Sequence, residues 1–97
     1  MTAEAVLNKA INILNGKRKE NNVRAERNFR QIAERWSDHV GTTVTESDVC
    51  MMMADLKRVR VETGYAVEDS FIDMVTYMAL AAEYATGGDI ERTDGHD

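Results

Sequence analysis

Residues 69–86 read DSFIDMVTYMALAAEYAT, a stretch without a glycine or a proline. At 100° per residue, Phe71, Ile72, Met74, Val75, Tyr77, Met78, Leu80 and Tyr84, with the alanines between them, occupy nearly the whole circumference of a helix. A helix that is apolar on nearly every side is buried on nearly every side. Other helices must therefore wrap it, and with no proline and only six glycines in the chain, an all-α fold follows. Ninety-seven residues suffice for one domain. Few short helices remain to cover the segment, so the reading predicts a self-associating chain, a dimer or higher homo-oligomer.

Working outward, three more helices complete a four-helix single domain. Thr2 is placed to cap a first helix over about 3–15, with Leu7, Ala10, Ile11 and Leu14 as its apolar stripe and Gly16 just past its end. A second, over about 23–40, carries Phe29, Ile32, Ala33, Trp36 and Val40 and stops at Gly41. Thr45 and Asp48 have capping-box spacing and open a third, about 46–63, with Val49, Met52, Met53, Leu56 and Thr63 inward. The fourth, about 69–86, ends at Gly87-Gly88. Residues 1–88 thus form the domain, and 89–97 read as a flexible acidic tail.

Composition narrows the function. Twelve Lys and Arg against seventeen Asp and Glu give a net charge of -5, which disfavours nucleic acid as the partner. No apolar run approaches the roughly 20 residues that span a bilayer, so no membrane association is expected. The first residues lack a basic stretch followed by an apolar one, and a single cysteine, Cys50, makes no internal disulfide. Both features fit a cytoplasmic protein. The basic stretch 17–35 has Arg24, Arg27, Arg30 and Arg35 opposite the Phe29/Trp36 stripe, as a solvated face or an anion contact. His39 suits a helix C-terminus, Cys50 a small core position, and Phe29 and Trp36 are core anchors. Met52 and Met53 are expected in the core, and Met51 at a subunit contact.

One polar strip interrupts the fourth helix. Asp69, Asp73, Thr76 and Glu83 fall within about 80° of one another. Asp69 and Asp73 are like charges at i, i+4 spacing, which calls for a compensating cation. On the third helix, Arg60 projects into the sector of Val49, Met53 and Leu56, with Lys57 at its edge, so these bases should meet the acids where the two helices pack antiparallel. Two readings follow. In one, Arg60 and Asp73 form a partly buried salt bridge and nothing binds. In the other, Lys57, Arg60, Asp69 and Asp73 line a ligand site, the bases holding an anion or Asp69 and Asp73 holding a cation such as Mg²⁺.

The motifs Asn28-Phe29-x-x-Ile32-Ala33-x-x-Trp36, Asp48-Val49-x-x-Met52-Met53-x-x-Leu56-Lys57-x-x-Arg60 and Asp69-Ser70-x-x-Asp73-x-x-x-Tyr77, in this order, resemble a family of small all-α phage and prophage proteins of unknown function. The resemblance spans about residues 21–86. It implies that Lys57, Arg60, Asp69 and Asp73 are recurrent polar positions, and it supplies no activity. Two turns depart from the family pattern: Asn21-Asn22-Val23 stands in place of a Tyr-Gly turn, and Ala66-Val67-Glu68 in place of a His-rich acidic one. A more distant likeness is to the MazG-type nucleoside triphosphate pyrophosphohydrolases, whose convergent carboxylates hold Mg²⁺. Their paired E-x-x-E and E-x-x-D motifs are absent in that form. The sequence therefore leads to a small oligomeric phage-type protein that binds a nucleotide-like or other phosphorylated ligand, with a Mg²⁺-dependent pyrophosphohydrolase and an inhibitor of a host protein as alternatives.

Overall fold

Two threonines and a strained alanine begin the helices. Thr2 accepts the Ala5 N–H at 3.1 Å and opens α1 (Ala3–Val40). Thr45 accepts the Asp48 N–H at 3.0 Å while the Asp48 carboxylate accepts the Thr45 N–H at 3.0 Å, the expected reciprocal cap, and this opens α2 (Glu46–Glu62). The third, α3 (Val67–Thr86), starts from Ala66, which is in the left-handed region at φ 48° and makes no side-chain cap. The computed structural model describes residues 1–87, leaving aside the side chains of 17–27. The predicted tail 89–97 and the side chains of Arg24 and Arg27 lie outside the described residues.

The fold is all-α, as the sequence predicts. Both helices expected at 3–15 and 23–40 form, and they join into the single element α1: Gly16 does not end a helix. A glycine inside a helix costs only about 1 kcal/mol, and no proline stands nearby to break the hydrogen-bond ladder. The stop at Gly41 is real. There φ is 75°, and the Gly41 N–H donates to the Ser37 carbonyl at 2.9 Å. At its other boundary α3 begins at Val67, two residues before the predicted start.

Helices α2 and α3 pack as an antiparallel pair, and α1 lies against both. Among the described residues, the buried apolar side chains are mostly small, Ala10, Ala33, Ala54 and Ala81 with Val49, Cys50 and Ile72, and Ser70 and Thr76 are buried beside them. Small side chains let helix backbones approach closely. Ser47 uses that closeness, its hydroxyl donating to the Ala81 carbonyl at 2.8 Å and tying the start of α2 to the far end of α3. Phe29 of α1 meets the rings of Tyr77 and Tyr84 edge-on, with centroids 6.5 and 5.8 Å away.

Several expected core residues are not in the core of the single chain. In α1 the inward side is Ala10 with half-buried Ile13 and Leu14, while Leu7 and Ile11 are exposed, because the close approach occurs at the alanine. In α2, Met52 and Leu56 are exposed and Met53 is half-buried, since α3 packs on the sector of Cys50, Ala54 and Lys57. In α3, Val67, Phe71 and Met78 are exposed, so the helix is not enclosed all round within one chain.

Ser37 fixes the return from α1 to α2. Its hydroxyl accepts the Val44 N–H at 2.7 Å and donates to the Ala33 carbonyl at 2.7 Å. Ser37→Ala leaves that N–H unpaired in a half-buried turn and should cost about 1–2 kcal/mol in urea unfolding. Faster hydrogen exchange at the Val44 amide than in the wild type should accompany it; an unchanged Val44 rate would remove the hydroxyl from this role.

Candidate functional site

The register of α2 on α3 decides which charges meet. Lys57 follows Cys50 by two helical turns and shares its buried side, so its ammonium reaches across to Asp73 at 2.9 Å. The pair is sheltered, with the Lys57 side chain 15% and the Asp73 side chain 34% exposed. The predicted Arg60–Asp73 pairing does not form. Arg60 lies in the last turn of α2, where the chain leaves toward Gly64, and its guanidinium sits 5.6 Å from the centroid of the Tyr65 ring as a cation–π contact. A positive charge there also complements the helix C-terminus. Asp69 is exposed, and among the described residues it has no cationic partner.

Asp69 and Asp73 are nonetheless together. With Ile72 they form one wall of a hollow of about 440 Å³ whose other wall is Lys9, Asn12 and Ile13 of α1. Both walls are i, i+3, i+4 sets, so two helical strips face each other, with Ile13 and Ile72 as apolar surface and the polar groups around them. The hollow thus unites two of the four predicted residues, Asp69 and Asp73; Lys57 reaches it only through its ion pair with Asp73, and Arg60 is left out. Lys9 and Asn12 were not among the predicted site residues. Their only signal in the sequence is that they flank Ala10 on the polar edge of the α1 stripe.

Electrostatics mark the same region. Burial pushes the Tyr77 hydroxyl above its ordinary pKa of 10.0; the Lys57 ammonium opposes this, while Asp73 and Cys50 add to it. Burial, helped by the charge of Glu46, raises the Cys50 thiol from 9.0 to about 11. The raised pKa lowers the thiolate fraction, and with it the nucleophilicity of Cys50, at neutral pH. Asp48 is committed to the α2 cap. Among the described residues, no group of three or more His, Cys, Asp or Glu side chains is placed to hold a metal ion, and no buried side-chain polar atom lacks a partner. What the hollow offers chemically is an ammonium, an amide and carboxylates around an apolar floor: a grip for a polar ligand. A second hollow, of about 470 Å³, lies beneath the Gly41–Thr45 return, where Arg30 and Glu46 approach to 4.0 Å beside Glu34 and Asp38.

The family model for a domain of unknown function, DUF6378, matches residues 5–85. The chain belongs to this family. The DUF6378 match takes in both walls of the hollow and all three helices except their outermost residues. The chain is also 34% identical over 76 residues to the Gene 55 protein of Mycobacterium phage D29, a match covering 77% of this chain and 50% of that protein. It therefore spans about half the length of this curated relative. Together these place the DUF6378 chain among phage-associated domains of unknown function. No solved structure matches. Among the described residues, no helix is long and apolar enough to cross a membrane.

Lys57→Met strands the Asp73 carboxylate in a site two-thirds shielded from water and should cost about 1–2 kcal/mol by chemical denaturation. Adding Asp73→Leu should recover most of that loss; a double variant as unstable as the sum of the two singles would show that the pair is not coupled. Cys50 makes a separate statement. Because folding holds its proton more tightly, its contribution to stability is complete below pH 9 and is lost as pH rises toward 11. Cys50→Ala should flatten the alkaline fall in stability over that window, and an unaltered slope would contradict the raised thiol.

Proposed function

We propose that this chain is a non-catalytic phage-type binding protein, acting in the host cytoplasm, that holds a nucleotide-like or other phosphorylated ligand in the hollow between α1 and α3. One observation carries the reading: Lys9, with no ion partner among the described residues, stands beside Asn12 on one wall and faces Asp69 and the Lys57-paired Asp73 across an apolar floor. A phosphate would take the Lys9 ammonium and compete with Asp73 for Lys57. The exocyclic amine of a base would donate to Asp69 while its ring lies on Ile13 and Ile72. Such a site would sequester a signalling nucleotide, as an anti-defence protein does. Mg²⁺ would enter with the phosphates of the ligand, with Asp69 and Asp73 as the nearest carboxylates. The pyrophosphohydrolase alternative gains no support, since among the described residues no three acids converge as that chemistry needs.

A specific observation favours a second reading, binding to a host protein. Met52, Leu56 and Val59, at i, i+4, i+7 spacing, form an exposed apolar ridge along α2.

Thermal-shift assays against nucleoside triphosphates and cyclic nucleotides, with and without Mg²⁺, test the proposal. A true ligand at 100 times its Kd should add about 2.7 kcal/mol and raise Tm by several degrees, and Lys9→Ala should abolish the shift with helicity intact. Release of pyrophosphate would instead assign an enzyme. Indifference to every compound, with a stable host-protein complex that Leu56→Glu breaks, would replace the ligand reading by the second one.

A further inference from the structure

Three sectors of α3 can be told apart by what touches them. Asp69, Ile72 and Asp73 face α1 across the hollow, and Tyr77 and Tyr84 meet Phe29 of the same helix. Asp73 and Ala81 bond to Lys57 and Ser47 of α2. The remaining sector runs Val67, Phe71, Val75, Met78, Ala82 and Ala85, spaced so that all six lie along one side of the helix. Among the described residues it is covered only in part: Val75 and Ala82 are half-buried, and the other four are exposed. Phe71 is 45% and Met78 47% exposed, and no charged residue interrupts the stripe. Against this, among the described residues the buried core contains no side chain larger than Ile72. Phe71 and Met78 are therefore left open by the described residues.

We infer that a second copy of this chain covers this stripe, the two α3 helices lying antiparallel across a two-fold axis between Val75 and Met78. The stripe itself indicates the occupant. It is bulky toward its N-terminal end, at Val67 and Phe71, and small toward its C-terminal end, at Ala82 and Ala85. An isologous antiparallel pairing sets each end against the opposite end of the other copy, so Phe71 fits over the partner's Ala82, Val67 over the partner's Ala85, and Met78 beside the partner's Val75. Large meets small at the outer crossings, and Met78 packs beside Val75 at the axis. Opposed helix dipoles add to the preference, and the absence of charge in the stripe leaves nothing to desolvate unpaired. A foreign helix would need that size gradient supplied in reverse, whereas a second copy has it by symmetry. The pairing is independent of the hollow, which opens toward α1 on another side of α3.

Light scattering and sedimentation on the full chain test this. The wild type should have twice the 10.9 kDa subunit mass. Phe71→Lys and Ala82→Glu should each give a monomer with unchanged far-UV circular dichroism. Mixing those two variants should restore a dimer, because the lysine of one then faces the glutamate of the other. Leu56→Glu, on the outer ridge of α2, should stay dimeric. Should Phe71→Lys lose helicity, Ala85→Glu at an exposed position takes its place and must also split the dimer. A monomeric wild type overturns the inference. So does a dimer that survives both single variants, a mixture that stays monomeric, or dissociation by Leu56→Glu alone.

Discussion

The close antiparallel approach of α2 and α3 is the constraint on which the rest of the molecule depends. It is held at one end by the Ser47 hydroxyl on the Ala81 carbonyl and near the other by the Lys57–Asp73 pair, with Cys50 and Ala54 filling the space between. Close approach requires small side chains at the seam, which displaces the large ones to the flanks. That displacement explains two observations together: a core made mostly of alanine, and a surface with Phe71, Met78, Leu56 and Val59 on show. It also sets the register that brings Lys57, and not Arg60, to Asp73.

Much of this was legible from residue type and spacing alone. The caps at Thr2 and Thr45, the stop at Gly41 and the all-α class rest on local rules, so they could be read without knowing any neighbour. The joining of the first two helices was not legible. A lone glycine is a weak signal whose small penalty is outweighed wherever the flanking turns are strong helix formers. The early start of α3 was hidden for a related reason: Ala66 adopts a left-handed conformation that its side chain does not advertise.

The candidate site was half legible. Asp69 and Asp73 announced themselves as a charged strip on an apolar helix, and a basic partner on the preceding helix was the right physical demand. Which base answers depends on a rotation of 60° between Lys57 and Arg60, finer than helical periodicity resolves when the facing sector is unknown. Lys9 and Asn12 could not be found, because nothing local distinguishes them from other surface polar residues; only the packing of α1 against α3 turns them into a wall.

The four alanines at the helix contacts, Ala10, Ala33, Ala54 and Ala81, have one more implication. The bundle has no room to grow inward: adding even a methylene at these positions forces a helix axis aside, whereas the large outer residues can be exchanged without moving the backbone. Adaptation in such a molecule is confined to its exterior. New binding habits can be acquired there in single steps while the interior stays as it is.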